Sequence, residues 1–232
     1  MSGAKPVLRE EYFDLWNIVE NLSITAGLPM PKLYVVHDAA PNAFATGRNK
    51  EHAAVAVTTG LLEVLDRSEL EGVIAHELSH IGNRDILIST VAVVLAGFIA
   101  LLSNMFLRMG LFGRRDRDSR AGGVIAIVGI VLAILSPIAA TMIRLSISRK
   151  REFLADASGA LLTRYPEGLA RALEKISRYS RPMEKATDAT AHLYISNPFG
   201  AKSELVTGMH KLFQTHPPME ERIKILRGLD IK

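Results

Sequence analysis

Cysteine is absent from this chain of 232 residues. Disulfides and thiolate metal sites are therefore excluded, and any transition-metal site has to use histidine and carboxylate side chains. Residues 1–30 carry charges throughout and contain no apolar core segment, so a signal peptide is not expected. Basic residues exceed acidic ones only slightly, 28 against 24, and they do not line one helix face. No nucleic-acid partner is therefore expected.

Uncharged stretches, in contrast, are unusually long. Apolar residues make up 48% of the chain, and the runs 86–107 and 121–143 contain no charged residue. Each run exceeds the roughly 20 residues that a helix needs to cross ~30 Å of hydrocarbon. We expect a transmembrane helical hairpin, residues 86–143, that interrupts a domain made of residues 1–85 and 144–232. Two buried helices of a soluble core are the alternative.

The flanking segments predict a mainly α fold with a small β-sheet (α+β). The β-type runs predict three strands, at Leu33–Val36, Asn42–Thr46 and Ala53–Thr58. Helical spacing of apolar residues predicts helices over Pro6–Ala26, Gly60–Leu65, Ser68–Asn83, Arg151–Thr163, Glu167–Ser180 and Pro217–Gly228. A capping box, Ser68-x-x-Glu71, is expected to begin the third of these helices. Arg181–Ser203 is polar and broken by proline and glycine, which predicts a mobile loop.

The strongest chemical signal is the pentapeptide His76-Glu77-Leu78-Ser79-His80, an H-E-x-x-H motif. Residues four apart lie on one helix face, so His76 and His80 can reach the same cation. Glu77 then lies beside the metal, where its carboxylate can take a proton from water. Imidazole ligands with a carboxylate as third ligand suit zinc. The alternative is an ordinary amphipathic helix with two surface histidines.

A third protein ligand is required, and Glu152 is the best candidate. Glu152 and Asp156 are four residues apart on a predicted helix, directly after the second apolar run. Glu152 could bind the metal while Asp156 accepts a hydrogen bond from a ligand histidine, which fixes the imidazole tautomer. From the local sequence alone, a solvated charge pair among Arg149, Lys150 and Arg151 is equally acceptable.

Several segments together resemble the HtpX family of membrane-bound zinc metallopeptidases, which are related to the CAAX prenyl endopeptidases. The resemblance covers essentially the whole chain, in the segments 42–47, 57–62, 75–80, 151–156 and 216–218. It implies a zincin-like metallopeptidase domain with a gluzincin-type site, one zinc ion per chain and Glu152 as the third ligand. Members of the family usually carry two more membrane helices before this domain. The chain begins where these would end, as expected for a fragment or for a short form anchored by the hairpin alone.

The resemblance also implies the biological setting. It implies a multi-pass protein of the inner or plasma membrane whose catalytic domain faces the cytoplasm. The implied partners are polypeptide substrates, above all misfolded membrane proteins, in quality control and stress response. Charge does not orient the hairpin, because five basic residues flank each side of it. A non-catalytic membrane adaptor with a structural metal, and a soluble peptidase, are the competing hypotheses.

Two further groups of residues are candidates for the site. His216 precedes Pro217 at the start of a helix, and it could donate a hydrogen bond to a developing oxyanion or contact the zinc. Arg222 lies about two turns further along and could add positive charge; a helix-capping histidine and a surface arginine are the alternatives. Ala53–Thr58 is expected to be an edge strand that receives an extended peptide. The candidate substrate-binding residues are Asn42, Ala43, Ala54, Val55 and Ala56.

Overall fold

The computed structural model describes residues 3–85, 149–179, 181–184, 193–196 and 217–231, with residues 87, 91, 94, 97, 98, 101, 102, 105, 131, 135 and 198. The chain divides into two compact units, residues 1–87 with 147–232, and residues 88–146. Most of the predicted hairpin lies outside the described residues. Among the residues that are described, none belongs to a helix long and apolar enough to cross a membrane.

Four strands form one sheet in the first unit. These are β1 (Ala4–Pro6), β2 (Lys32–Val36), β3 (Ala43–Gly47) and β4 (Ala53–Thr58), in the order β1-β2-β4-β3. Only β2 and β4 are parallel; β1 pairs antiparallel with β2, and β3 with β4. The sheet thus has one strand more than the sequence predicts. Pro6, assigned to a helix above, lies in β1, where an edge strand tolerates its missing N–H.

The predicted edge position of Ala53–Thr58 is wrong. This segment is β4, and it pairs with β2 on one side and with β3 on the other. Its side chains are correspondingly buried, with Val55 1% and Ala56 4% exposed. A short apolar run does not show whether a strand is central or at an edge, because that depends on which distant segments pair with it.

A 3-10 helix at Lys50–His52 and six α-helices with defined bounds complete the described part of the first unit. The α-helices are α1 (Phe13–Ala26), α2 (Thr59–Val64), α3 (Arg67–Gly82), α4 (Arg149–Thr163), α5 (Pro166–Ser177) and α6 (Met219–Arg227). The predicted helices are thus present where these residues are described, although α1 begins seven residues later than expected. Gly27, with φ 64°, ends α1 in the left-handed conformation that glycine adopts without strain.

The start of α3 differs from the prediction by two residues. Asp66 is the N-cap and accepts from the backbone N–H of Glu69 at 3.0 Å, while the Glu69 carboxylate accepts from the Asp66 N–H at 2.8 Å. The predicted capping box of Ser68 and Glu71 is therefore wrong. Ser68 instead donates its hydroxyl to the Asp66 carboxylate at 2.7 Å. The sequence thus contains two overlapping capping patterns, Asp66 with Glu69 and Ser68 with Glu71. The first one forms, and its glutamate is buried.

Helix α3 is the centre of the unit and packs against α1, α4, α5 and β3. Two glycines permit the close helix contacts. A Cβ added at Gly72 would lie 2.6 Å from the backbone N of Leu169 in α5, and one at Gly159 would lie 2.9 Å from the backbone N of His76. Helix α4 therefore crosses α3 directly at the first histidine of the motif, which brings residues 76 and 152 together.

A short segment at residues 193–196 extends the sheet. Tyr194 pairs antiparallel with Phe44 of β3, and the Ile195 N–H donates to the carbonyl of Ala43 at 2.9 Å. Tyr194 and Ile195 are 2% and 1% exposed. The prediction of a mobile loop over Arg181–Ser203 is therefore wrong for this part of it, because a distant strand supplies backbone partners that the local sequence does not reveal.

Candidate metal centre

Three side chains from helices α3 and α4 lie close enough together to bind one metal ion. His76 and His80, one turn apart on α3, and Glu152 of α4 offer ligand atoms that all lie within 4.8 Å of one another. The Nε2 atoms of the two imidazoles are 3.1 Å apart, and they lie 3.8 and 3.5 Å from the carboxylate oxygens of Glu152. Glu152 is 2% exposed, so the alternative of a solvated charge pair is wrong. Two nitrogens and one oxygen at this spacing can hold a metal ion.

His76 is backed by a buried ion pair. Its Nδ1 lies 2.9 Å from a carboxylate oxygen of Asp156. Arg222 of α6 donates to both oxygens of the same carboxylate, at 2.8 and 2.6 Å, and is 0% exposed. Burial raises the pKa of Asp156, but the charge and hydrogen bonds of Arg222 and His76 outweigh it and lower the pKa to about 2. The Asp156 carboxylate is thus charged, and the alternative of a surface arginine at 222 is wrong.

His80 has a matching partner that the sequence prediction missed. Its Nδ1 lies 3.0 Å from a carboxylate oxygen of Asp85, and Arg151 donates to the other oxygen. Asp85 follows the motif by five residues, and Arg151 precedes Glu152 by one. A carboxylate shortly after an H-E-x-x-H helix and a basic residue beside the third ligand were the available signals. These signals do not show that Asp85 and Arg151 are in contact, because 66 positions separate the two residues in the sequence.

The second residue of the motif, Glu77, is 2% exposed. Burial, opposed in part by the charge of His80 and by a backbone hydrogen bond to Ala45 of β3, raises its pKa to about 7. Burial also lowers the pKa of His76 to about 4, which favours the neutral imidazole that metals bind. At His80 burial lowers the pKa, but Asp85, Glu152 and Glu77 together raise it to about 9. The carboxylates around His80 therefore favour a positive charge at this position.

The other predicted site residues are His216, Asn42, Ala43 and three residues of β4. His216 lies outside the described residues. The Asn42 side chain donates to the Ser196 carbonyl at 3.2 Å and accepts from the backbone N–H groups of Ala43 and Ser196 at 3.1 and 3.3 Å. Strand addition at Ala54, Val55 and Ala56 is excluded, because β4 is paired on both sides. The outer partner of β4 is β3, whose residue Ala45 contacts Glu77.

Comparison with known proteins supports the same chemistry. Residues 11–230 match the model of Peptidase family M48. A Protease HtpX homolog from Caldanaerobacter subterraneus subsp. tengcongensis is 51% identical over 234 residues, which cover 99% of this chain and 76% of that protein. A Protease HtpX homolog from Thermoanaerobacter pseudethanolicus is 52% identical over 232 residues, which cover 98% and 75%.

A solved structure shares the fold. The crystal structure of S. mikatae Ste24p aligns with a TM-score of 0.57 and 22% sequence identity, over 96% of this chain and 51% of that one. This chain therefore spans about half the length of the solved protein. The helical domain with its small sheet is consistent with a zincin-like fold.

The family match and the HtpX relatives identify a metalloprotease, and the buried His-His-Glu group can hold its metal. The match over nearly the whole chain is more specific, and the chain belongs to peptidase family M48. The resemblance to HtpX proteases seen in the sequence is thereby confirmed.

Proposed function

We propose that the chain is a zinc-dependent endopeptidase in which His76, His80 and Glu152 hold one zinc ion and Glu77 is the general base. The convergence of the two imidazoles on the Glu152 carboxylate carries this proposal. Two imidazole nitrogens and a carboxylate oxygen, without any thiolate, form the ligand set of catalytic zinc sites, which keep a fourth position open. A bound zinc would polarise the scissile carbonyl and acidify the attacking water.

Glu77 supplies the proton transfers in this proposal. It follows the first ligand directly on α3, and its burial raises the pKa to about 7, near the value at which a carboxylate both takes and returns a proton. Glu77 takes the proton of the attacking water and delivers it to the leaving amine. A metal ion held by the neighbouring ligands would lower the pKa of Glu77 from this value and favour the carboxylate form that accepts the proton.

Asp156 and Arg222 hold the first imidazole. With Asp156 accepting from Nδ1–H of His76, the Nε2 of that ring carries the lone pair and faces Glu152. Arg222 keeps the carboxylate charged, and its Nη1 lies 3.7 Å from Glu152, so it also adds positive charge beside the site. His216, which precedes the buried Pro217, is proposed to stabilise the oxyanion.

An extended substrate is proposed to pair along the outer edge of β3 rather than along β4. Two observations support this choice: β3 is the last strand in the order of the described sheet, and Ala45 contacts the general base. At the first part of β3 the carbonyl of Ala43 already accepts from Ile195. Substrate pairing would therefore begin beyond Phe44.

Membrane attachment and the substrate class also belong to this proposal. The described residues 91, 94, 98, 101 and 105 are helical, large, apolar and exposed, and their spacing follows one helix face. Together with the uncharged runs 86–107 and 121–143, this face supports a multi-pass membrane protein. From the similarity to HtpX proteases we propose that the catalytic domain faces the cytoplasm and cleaves misfolded membrane proteins in quality control.

The test is a protease assay of the detergent-purified full chain on unfolded casein and on a membrane protein. Cleavage of both should stop when a chelator removes the metal and return when zinc is added. The variant Glu77→Gln should keep the zinc and lose cleavage. Full activity in the metal-free protein would contradict the proposal.

A further inference from the structure

The two imidazoles of the centre are held in the same way, but only the support of His76 is expected from the sequence. We propose that Asp85 is a positioning residue that orients His80 toward the metal, and that Arg151 holds Asp85 in place. This inference rests on the proposed zinc site and assigns a role to two residues outside it.

The two histidines make equivalent contacts. His76 places Nδ1 at 2.9 Å from Asp156 and turns Nε2 toward Glu152, at 3.8 Å. His80 places Nδ1 at 3.0 Å from Asp85 and turns Nε2 toward the other oxygen of Glu152, at 3.5 Å. A carboxylate on Nδ1–H leaves the lone pair on Nε2 and makes that nitrogen more basic. Asp85 therefore fixes the tautomer of His80 in the same way as Asp156 fixes the tautomer of His76.

Each of these carboxylates is in turn bound by an arginine. Arg222 holds Asp156, and Arg151 donates to the oxygen of Asp85 that His80 leaves available. The side chains of Asp85 and Arg151 are 10% and 24% exposed, against 2% and 0% for Asp156 and Arg222. The pair at His80 is thus the more solvated one, and its loss should affect the metal more than the fold.

The backbone before Asp85 supports a dedicated role. Helix α3 ends at Gly82, and Arg84 adopts φ 60°, a left-handed conformation that is strained for a residue other than glycine. This conformation lies directly before Asp85, whose carboxylate contacts His80 five residues back along the chain. A simple continuation of the helix would carry residue 85 away from the His80 ring, because residues five apart do not share a helix face.

Asp85 and Arg151 also lie within a few residues of positions 87 and 147, between which the first compact unit is interrupted. Their ion pair could therefore serve only to fasten these chain ends. The two roles differ in what they predict: a fastening role affects folding stability alone, whereas a positioning role weakens zinc binding in protein that is still folded.

The experiment measures zinc affinity of the detergent-purified full chain by competition with a chromophoric chelator. Asp85→Ala should bind zinc roughly 10–100-fold more weakly, as changes in residues that support a ligand do. Asp85→Asn should lose less, because its amide oxygen still accepts from Nδ1–H, and Arg151→Met should fall between wild type and Asp85→Ala. Arg67→Met, which removes the exposed Arg67–Glu71 pair at 3.1 Å on α3, is the matched control and should be unchanged.

Two further readouts separate positioning from folding. Cobalt-loaded Asp85→Ala should show an altered visible absorption spectrum, and its metal-free form should unfold near the wild-type midpoint. Wild-type zinc affinity in folded Asp85→Ala and Arg151→Met would overturn the inference while leaving the proposed function intact. A wild-type chain that binds no zinc would overturn both. If Asp85→Ala does not fold, the zinc affinities of Asp85→Asn and Arg151→Met decide, and wild-type values in both folded variants would overturn the inference.

Discussion

Breaking the buried pair of Arg222 and Asp156 should separate folding stability from metal binding. Arg222 is 0% exposed, and both carboxylate oxygens of Asp156 accept from it at 2.8 and 2.6 Å. Arg222→Met leaves a buried carboxylate with His76 as its main partner. Removing one partner of a buried ion pair costs about 3–5 kcal/mol. At roughly 2–4 °C per kcal/mol for a chain of this size, the unfolding midpoint should fall by about 6–20 °C.

The double variant Arg222→Met/Asp156→Leu should recover most of this loss. Replacing both partners by apolar side chains of similar volume is often neutral or stabilising, because no charge stays buried. Zinc affinity should not recover, because His76 then has no carboxylate on Nδ1 and should bind zinc about 10–100-fold more weakly. The structure thus predicts a variant that is stable and deficient in zinc.

The assay combines thermal unfolding of the metal-free protein with chelator competition for zinc. Arg227→Met is the control, because Arg227 lies on the same helix α6 and pairs with Glu167 at 3.1 Å, but with 45% of its side chain exposed. Its midpoint should not change. An equal midpoint for Arg222→Met and Arg227→Met would refute the stability argument. Recovery of zinc affinity in the double variant would refute the role of Asp156.

Three other substitutions test the centre. Glu77→Gln should keep one zinc per chain and lose activity by about 10²–10⁴-fold, as loss of a general base does; loss of the zinc would make Glu77 a ligand. Glu152→Ala should lose both the metal and proteolysis, and normal zinc stoichiometry in this variant would require another third ligand. Gly159→Ala should lower stability by about 1–3 kcal/mol and weaken zinc binding, because its Cβ would meet the backbone of His76 at 2.9 Å and push α4 away from α3. Unchanged stability and zinc affinity there would contradict the close packing.

The parts of the site that follow from helical spacing could be predicted from the sequence. His76 and His80 lie four residues apart on α3, and Glu152 and Asp156 lie four apart on α4. In each case the helical repeat alone places both residues of the pair on one helix face, so the fold need not be known. The position of Glu77 beside its neighbours follows in the same way.

The parts that depend on distant contacts could not be predicted. Asp85 meets Arg151 only because α3 and α4 pack together, and the left-handed residue before Asp85 has no signature in the sequence. The central position of β4 depends on its pairing with β2 and β3. Burial of Tyr194 and its neighbours likewise requires β3 as a partner. Local propensity does not encode such pairings.

The most direct test of the proposed zinc centre is X-ray absorption at the zinc edge of the detergent-purified full chain, with metal content measured on the same sample. The proposed centre requires one zinc per chain, two imidazole nitrogens at about 2.0–2.1 Å and oxygen as the remaining ligands. His80→Ala should remove one imidazole from that shell or the zinc itself. A chain that takes up no stoichiometric zinc, or a zinc shell without two imidazoles, would contradict the centre formed by His76, His80 and Glu152.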